Sequence, residues 1–311
     1  MTSPVLVAIV GPTATGKSAL GVTLSRHFDG EVISCDSTAV YRGIDIGTDK
    51  PDLEARGGIP HHLIDVVEPT EVYSAARFAE DAARAAHDIV ARGRLPILVG
   101  GTGFYYRALV RGLFPGPARD EALRARLVSV LEKRGVERLH RWLARVDPES
   151  AQRILPGDFK RIQRALEVYL LTGRPLSAHF AETRSPLQGW QIVTLGVRDP
   201  RGDLAMRVAR RVDEQFARGV VDEVAALVAQ GVPESAHAFS GLVYRQIIEM
   251  RHGVRDEAAT RALIVQENLR YARRQMQWFR SEPDVHWLEG PGTDPTVVAA
   301  AIALVTSRWK M

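Results

Sequence analysis

The sequence predicts an α/β fold: a P-loop NTPase-like parallel sheet core with an inserted all-helical domain. Short apolar segments alternate with amphipathic ones over the first third of the 311 residues, as is typical of a parallel sheet covered by helices. From about residue 115 to residue 186 the pattern is helical and rich in arginine, and an apolar segment then follows. We therefore interpret the helical part as an insertion into the sheet domain.

Apolar segments predict the strands of the sheet, and helical periodicity predicts the helices around it. Residues 95–99 are entirely apolar, as expected for a strand buried on both faces, whereas residues 63–67 and 191–197 are weaker strand candidates. The predicted strands are 5–10, 31–35, 63–67, 95–99 and 191–197. The predicted helices of the core are 17–28, 74–92, 203–218, 220–230 and 260–280.

The arginine-rich segment is predicted to form a helical domain of its own. Its helices are predicted at residues 121–134, 136–146, 148–154 and 158–171, and Gly173 followed by Pro175 ends the last of them. Residues 119–174 contain 13 basic and 8 acidic residues, whereas the net charge of the whole chain is only +4. We assign residues 1–114 and 187–311 to a catalytic core and residues 115–186 to the insertion.

The composition excludes several classes of protein. No apolar segment reaches the 18 residues of a membrane span, and the N-terminus lacks the basic region of a signal peptide. The single cysteine, Cys35, excludes a disulfide framework and a cysteine-built zinc site, and His61 and His62 have no third ligand nearby. We expect a reduced, cytoplasmic protein without a membrane partner. Of its 41 basic residues 36 are arginines, which a GC-rich genome explains as well as phosphate binding does.

A phosphate-binding loop follows the first predicted strand and opens the first predicted helix. It matches G-x-x-x-x-G-K-[ST] at every required position. Its residues are Gly11, Pro12, Thr13, Ala14, Thr15, Gly16, Lys17 and Ser18. Backbone amides and the helix dipole favour an anion there, Lys17 adds a positive charge, and the Ser18 hydroxyl is a ligand suited to Mg²⁺. The loop is typical of ATP-binding proteins, yet it recognises linked phosphates and not adenine.

Three classes of enzyme therefore stay open on the loop alone. These are a kinase of a nucleotide or small metabolite, a nucleotide-driven switch or motor, and an enzyme that binds a diphosphate leaving group. A GTPase would need an N-K-x-D stretch, and a motor would usually show an apolar strand that ends in Asp-Glu. The sequence contains neither, so the switch is the weakest of the three.

Two further strand ends are expected beside the loop, because ligands of open α/β sheets bind at the carboxyl ends of the strands. Asp36 follows the second strand and could serve as a general base, as an outer partner of Mg²⁺ or as the cap of a turn. Thr102 follows the strand at 95–99 in a glycine-rich turn. Its hydroxyl could bond a ligand or cap the next helix.

Several sequence blocks resemble the IPP transferase family of bacterial tRNA dimethylallyltransferases. They run in the family's order over about residues 5–288, and several are more specific than the phosphate loop. They are the segments 11–18, 34–37, 40–48, 50–51, 59–65, 73–74, 100–102, 161–168, 244–246 and 272–275. Two positions depart from the family pattern: Val243 stands where a glycine is common, and Ala39 stands where many members have glutamine.

The resemblance implies a reaction and its partners. A dimethylallyl group would pass from dimethylallyl diphosphate to N6 of the adenosine immediately 3′ of the anticodon, with Mg²⁺ as cofactor. The helical insertion would grip the anticodon stem–loop of the tRNA, and we expect the chain to act as a monomer. A small-molecule kinase and a non-catalytic RNA-binding module are the alternatives; the intact loop beside Asp36 argues against the module.

The resemblance also assigns roles to individual residues. Lys17, Asp36 and Thr102 would be catalytic, Asp36 as the acceptor of the N6 proton, and Ser18 would hold the metal. Besides the phosphate loop, Arg207 or Arg211 would bind the diphosphate. The residues expected to contact tRNA are Asp36, Ser37, Thr38, Ala39, Thr102, Arg124, Lys160, Arg161, Ile162, Gln163, Arg164, Tyr244, Arg245, Arg273 and Arg274. The adenosine must leave its stack to react, so we expect it to be flipped out.

Overall fold

The computed structural model describes residues 3–114, 116–200 and 202–309. Residue 115, the predicted start of the insertion, and the predicted ends of the core at residues 1–2 and 310–311 lie outside this range. The chain forms two compact units, one of residues 1–110 and 186–311 and the other of residues 111–185. The assignment of the second unit to tRNA binding stays a prediction.

A parallel sheet organises the first unit. Within the described residues it has six strands in the order β3-β2-β4-β1-β5-β6. They are β1 (Val5–Val10), β2 (Gly30–Ser34), β3 (His61–His62), β4 (Leu95–Gly100), β5 (Gln191–Arg198) and β6 (Val285–Glu289), and every neighbouring pair is parallel. β1 is buried along its whole length, which fits its continuous apolar sequence. The predicted α/β fold class is confirmed.

Helices connect and cover the strands of the first unit. In the described residues they are α1 (Lys17–His27), α2 (Leu53–Arg56), α3 (Ala75–Ala91), α4 (Gly103–Arg111), α10 (Leu204–Ala217), α11 (Val220–Ala229), α12 (Tyr244–Arg251), α13 (Glu257–Arg280) and α14 (Pro295–Arg308). A short 3₁₀ helix lies at His237–Ser240. Leu20 and Leu24 of α1 and Ala301 of α14 pack with the sheet in one apolar core. None of the helices described has the length and apolarity to cross a bilayer.

One predicted strand is wrong. Residues 63–67 do not form a strand, because Leu63 and Asp65 have left-handed backbones with φ of 62° and 57°. The strand in this region is β3, which pairs with Val32 and Ile33 of β2. Only a bridge between Tyr41 and Val67 involves the predicted segment. The prediction also missed β6, α2, α12, α14 and a short helix at Leu176–Phe180, and α14 lacks a polar face for most of its length.

The second unit is helical. It contains α5 (Glu121–Arg134), α6 (Val136–Val146), α7 (Pro148–Arg153), α8 (Phe159–Thr172) and α9 (Leu176–Phe180). Leu139, Leu143, Ile162 and Leu166 are fully buried in its core. The four helices predicted from periodicity are all present, to within a residue or two at their ends.

A buried carboxylate joins the helices of this second unit. Glu167 of α8 accepts hydrogen bonds from Arg124 Nε (2.8 Å), Arg164 Nη1 (2.7 Å) and the Asp120 amide (3.0 Å). Burial alone would raise the pKa of Glu167, but these hydrogen bonds lower it to about 2. The carboxylate is therefore charged, and the two arginines compensate its burial.

Candidate active site

The phosphate loop connects β1 to α1, as predicted. Gly11 and Gly16 have left-handed backbones, with φ of 138° and 80°. A Cβ atom at Gly11 would lie 2.3 Å from the carbonyl oxygen of Val197, and one at Gly16 would lie 2.9 Å from the amide nitrogen of Gly292. Only glycine fits these two positions, because both the backbone angle and the neighbouring main chain exclude a side chain.

The ammonium group of Lys17 lies inside this loop, where it donates a hydrogen bond to the Pro12 carbonyl. Burial and the Arg211 guanidinium lower the pKa of Lys17 to about 7, although the Asp36 carboxylate acts in the opposite direction. In the free enzyme the Lys17 ammonium group is therefore partly deprotonated near neutral pH. An arriving anion would favour the charged form.

Arg211 of α10 reaches the phosphate loop. Its Nη1 donates to Thr13 Oγ1 at 2.8 Å, and its Nε lies 3.1 Å from Asp49 Oδ2. Burial raises the pKa of Asp49, whereas Arg211 opposes that rise. The pair holds the guanidinium at the loop, and Asp49 was not among the predicted site residues.

Arg207, one turn earlier on α10, has a different environment. Its Nη1 pairs with Asp199 Oδ2 at 2.8 Å, and it lines a recess beside the loop with Arg210 and Glu214. Its Nε and Nη2 are buried and find no partner among the described residues. Of the two arginines predicted to bind the diphosphate, Arg211 is therefore the one on the main cavity.

Asp36 follows β2 and caps the turn after it. Its Oδ1 accepts hydrogen bonds from the Thr38 amide (2.8 Å), the Thr38 hydroxyl (2.6 Å) and the Ala39 amide (3.3 Å). All three bonds made to this carboxylate by described residues fall on Oδ1, so Oδ2 is left for a ligand. The capping role and a role as proton acceptor are thus compatible.

The glycine-rich turn after β4 lies against the Asp36 turn. A Cβ atom at Gly100 would lie 2.1 Å from the Cys35 carbonyl oxygen, so the two strand ends approach as closely as glycine allows. The Thr102 hydroxyl accepts a hydrogen bond from the Ser37 amide at 3.2 Å. Thr102 therefore supports the carboxylate turn from behind.

Gln275 of α13 connects the glycine-rich turn to the phosphate loop. Its Oε1 accepts from the Thr13 amide at 2.9 Å, and its Nε2 donates to the Gly101 carbonyl at 3.0 Å. The site prediction missed this residue. Its presence in the segment 272–275, one of the blocks of the family resemblance, was the available signal.

These groups enclose one cavity of about 250 Å³. The loop residues 13–18, Asp36, Asp49, Lys50 and Arg211 form its polar wall. Apolar side chains complete it, namely Val32, Ala39, Pro51, Ile64 and Val99, together with the ring of Tyr271. The cavity therefore offers cationic groups and amides for a polyanion, apolar side chains for a small hydrocarbon group, and a carboxylate.

Several residues predicted to contact tRNA are buried. Ala39, Ile162, Gln163 and Tyr244 are at most 8% exposed. The Gln163 amide donates to the Arg124 carbonyl (3.2 Å), and the Tyr244 hydroxyl donates to Glu223 (2.6 Å). These four side chains pack or hydrogen-bond within the protein, and their contact with tRNA stays a prediction.

The other predicted tRNA contacts are accessible or partly so. Lys160, Arg161, Arg245, Arg273 and Arg274 are exposed, whereas Ser37 and Thr38 are half-buried. Arg124 and Arg164 are half-buried and bound to Glu167. Of the predicted cations of α8, Lys160 and Arg161 are therefore exposed, whereas Arg164 belongs to an internal ion pair with Glu167.

Val243 is strained, as its place in the family pattern suggests. It stands where a glycine is common and has a φ of 79° and a ψ of −61°. A β-branched residue in this region costs about 1–3 kcal/mol. Its side chain is 2% exposed, so burial offsets part of that cost.

The described histidines and carboxylates do not assemble into a metal site. In the described part of the chain no group of three or more His, Cys, Asp or Glu side chains could hold an ion. His61 Nδ1 lies 2.9 Å from the Ile59 carbonyl, and His62 Nε2 lies 2.6 Å from Glu31 Oε2. Both histidines thus have the structural partners expected of them.

Comparison with known proteins gives one consistent result. A family model described as IPP transferase matches residues 39–282. The tRNA dimethylallyltransferase of Koribacter versatilis (strain Ellin345) is 42% identical over 305 residues, 98% of this chain and 99% of the relative. That of Solibacter usitatus (strain Ellin6076) is 46% identical over 300 residues, 96% of both chains.

Solved structures agree with these relatives. The crystal structure of a full-length tRNA isopentenylpyrophosphate transferase from Bacillus halodurans has a TM-score of 0.73 and 35% identity, covering 98% of this chain and 96% of that one. A eukaryotic dimethylallyltransferase acting on tRNA has a TM-score of 0.78 and 27% identity, covering 98% of this chain and 79% of that one. These relatives are named as tRNA dimethylallyl- or isopentenyltransferases, and the kinase alternative is not supported.

Proposed function

Because the chain belongs to the IPP transferase family, we propose that it transfers a dimethylallyl group from dimethylallyl diphosphate to N6 of the adenosine immediately 3′ of the anticodon in tRNAs. The main structural support for this proposal is the set of side chains that line one cavity. A single cavity holds the phosphate loop with Lys17 and Arg211, and also the carboxylate of Asp36. These groups match a diphosphate leaving group and an amine that must lose a proton.

The phosphate loop and its cations would stabilise the leaving group. As the bond between the allylic carbon and the diphosphate oxygen breaks, the electron pair stays on that oxygen and negative charge grows there. The loop amides, Lys17 and Arg211 line one cavity and would stabilise this charge, and preorganised groups of this kind usually lower the barrier most. Asp49 would keep the Arg211 guanidinium in place.

A magnesium ion fits this site only together with its substrate. The Ser18 hydroxyl, on the cavity wall at the start of α1, is an oxygen donor of the kind that Mg²⁺ accepts and would be the protein ligand of the ion. The described residues lack a protein-built metal cluster, and Mg²⁺ commonly binds through phosphate oxygens with few protein ligands. Such an ion would neutralise diphosphate charge when bound.

Asp36 would take the proton of the acceptor amine. As the N6 nitrogen forms its bond to the allylic carbon, the nitrogen becomes positively charged and one N–H proton becomes acidic. Oδ2 of Asp36 would accept that proton, while Oδ1 stays bonded to Thr38 and Ala39. The products are a secondary amine on the adenosine, a protonated carboxyl group and free diphosphate.

The experiment that tests the function uses two labelled donors. The protein is incubated with unmodified tRNA and either dimethylallyl diphosphate labelled in the allyl group or ATP labelled in the γ-phosphate. Transfer of the allyl label to the tRNA, and its loss when guanosine replaces the acceptor adenosine, is the expected result. Transfer of phosphate to RNA or to a small metabolite would contradict the proposal.

The weakly held proton of Lys17 leads to a prediction about pH. The protonated form binds the diphosphate, and the pKa of the free enzyme is about 7. The value of kcat/KM for the prenyl donor should therefore fall above pH 7, by up to about tenfold per pH unit. Initial rates between pH 6 and 9 measure it. A profile that stays flat to pH 9 would show that this proton is not needed.

The exposed cations of α8 lead to a prediction about salt. Replacing Lys160 and Arg161 by alanine should weaken tRNA binding and flatten its log–log dependence on salt by about one unit per lost phosphate contact. Arg153→Ala, which removes a charge from an exposed ion pair in the same unit, is the control. Binding titrations at several salt concentrations measure the slope. A slope equal to that of the unmodified protein would show that Lys160 and Arg161 do not contact tRNA phosphates.

A further inference from the structure

Tyr271 of α13 lies on the cavity wall, and the reaction as described so far gives it no role. It shares the cavity with Asp36, Gly101 and Gln275. Gln275 follows it by one helical turn on the same face, and the two hydrogen bonds of Gln275 fix this part of α13 to the phosphate loop and the glycine-rich turn. The helix therefore presents Tyr271 to both halves of the site in a defined position.

The phenol of Tyr271 stays protonated at neutral pH and can donate its O–H in a hydrogen bond. Burial and the Asp36 carboxylate raise the pKa of Tyr271 to about 12, and the nearby Thr102 and Gln275 side chains offset only part of that rise. Among the described residues the Tyr271 hydroxyl has no hydrogen-bond partner, so its O–H is free to donate to a ligand in the cavity.

A carboxylate acceptor and a hydroxyl donor that line the same cavity suit the pairing edge of adenine. That edge presents the N6 amine, which donates, next to N1, which accepts. Guanine presents the reverse, an oxygen that accepts next to an N1–H that donates. Flipped bases are recognised by hydrogen bonds to this edge, so the two side chains together would accept adenine and reject guanine.

We propose that Tyr271 donates a hydrogen bond to N1 of the acceptor adenine while Asp36 accepts from its N6 amine, and that this pair sets the choice of base. The proposal rests on the proposed function, since it concerns the acceptor of the same reaction. It assigns Tyr271 a direct contact with substrate at the atom next to the reacting nitrogen.

A double-mutant cycle, which combines one substitution in the protein with one modified base in the RNA, tests this contact. The protein change is Tyr271→Phe, which removes the hydroxyl and keeps the ring. The substrate change is an anticodon stem–loop with 1-deazaadenosine at the acceptor position, which lacks N1. Each change alone should lower kcat/KM for the RNA by about tenfold. The variant protein acting on the modified RNA should lose no more kcat/KM than either change causes alone. The KM for dimethylallyl diphosphate should stay the same.

A second tyrosine supplies the control. The Tyr105 hydroxyl donates to the Tyr73 carbonyl at 3.1 Å, away from the cavity. Tyr105→Phe should keep the full sensitivity to 1-deazaadenosine. Because the cycle compares the same two RNAs on each protein, any change in the intrinsic reactivity of the modified base cancels.

Three results would overturn the proposal. The first is equal activity of the unmodified protein on both RNAs, a result that does not depend on how well any variant folds. The second is full activity of Tyr271→Phe, and the third is losses that multiply independently, as expected if the ring only packs. Failure of the unmodified protein to prenylate the ordinary stem–loop would instead contradict the proposed function itself.

Discussion

Asp36→Asn is expected to lower the turnover number by about 10²–10⁴-fold, the range typical of a positioned general base. Asparagine keeps an oxygen that can accept the hydrogen bonds that Oδ1 now receives from Thr38 and Ala39. It cannot take a proton from the amine. The rate of the chemical step should therefore fall, whereas the turn and the diphosphate site should keep their structure.

Single-turnover rates with saturating tRNA, together with binding of the diphosphate donor, measure this effect. The rate should fall while the dissociation constant for the donor stays within about twofold, a free-energy change too small to indicate a lost contact. Asp88→Asn, an exposed aspartate of α3, is the matched control. Turnover close to that of the unmodified protein would reassign Asp36 to the turn cap alone.

Lys17→Ala is expected to weaken donor binding and turnover together. The ammonium would contact the diphosphate both before and during its departure, so its loss should lower kcat/KM by about 10²–10³-fold, as for other groups that stabilise developing charge. Lys17→Met, which keeps the length of the side chain, should behave in the same way. Lys133→Ala, at an exposed position of α5, is the control.

Thermal unfolding separates this effect from damage to the fold. Burial and Arg211 both disfavour the charged lysine in the free protein, so removing it should leave the melting temperature unchanged or higher. A large loss of stability in both variants would indicate that Lys17 holds the loop together through its bond to Pro12. Normal donor binding in a stable variant would exclude Lys17 from the diphosphate site.

The sequence alone determined the features that depend on local order along the chain. β1 and the phosphate loop follow from a continuous apolar segment and a spacing of glycines, lysine and serine over eight residues. The helices of the second unit follow from a period of 3.6 residues. Asp36 could be placed beside the loop because parallel strands bring their carboxyl ends to one edge of a sheet.

The tertiary structure alone decided which side chains meet. Gln275 bonds Thr13 across 262 residues of sequence, and Glu167 binds Arg124 across 43, so no local pattern could reveal either contact. Arg207 and Arg211 have equivalent places on one helix face, and only the positions of Asp199 and Asp49 distinguish them. Periodicity records which face of a helix is buried, but the partner of a buried polar group is set by how distant elements pack.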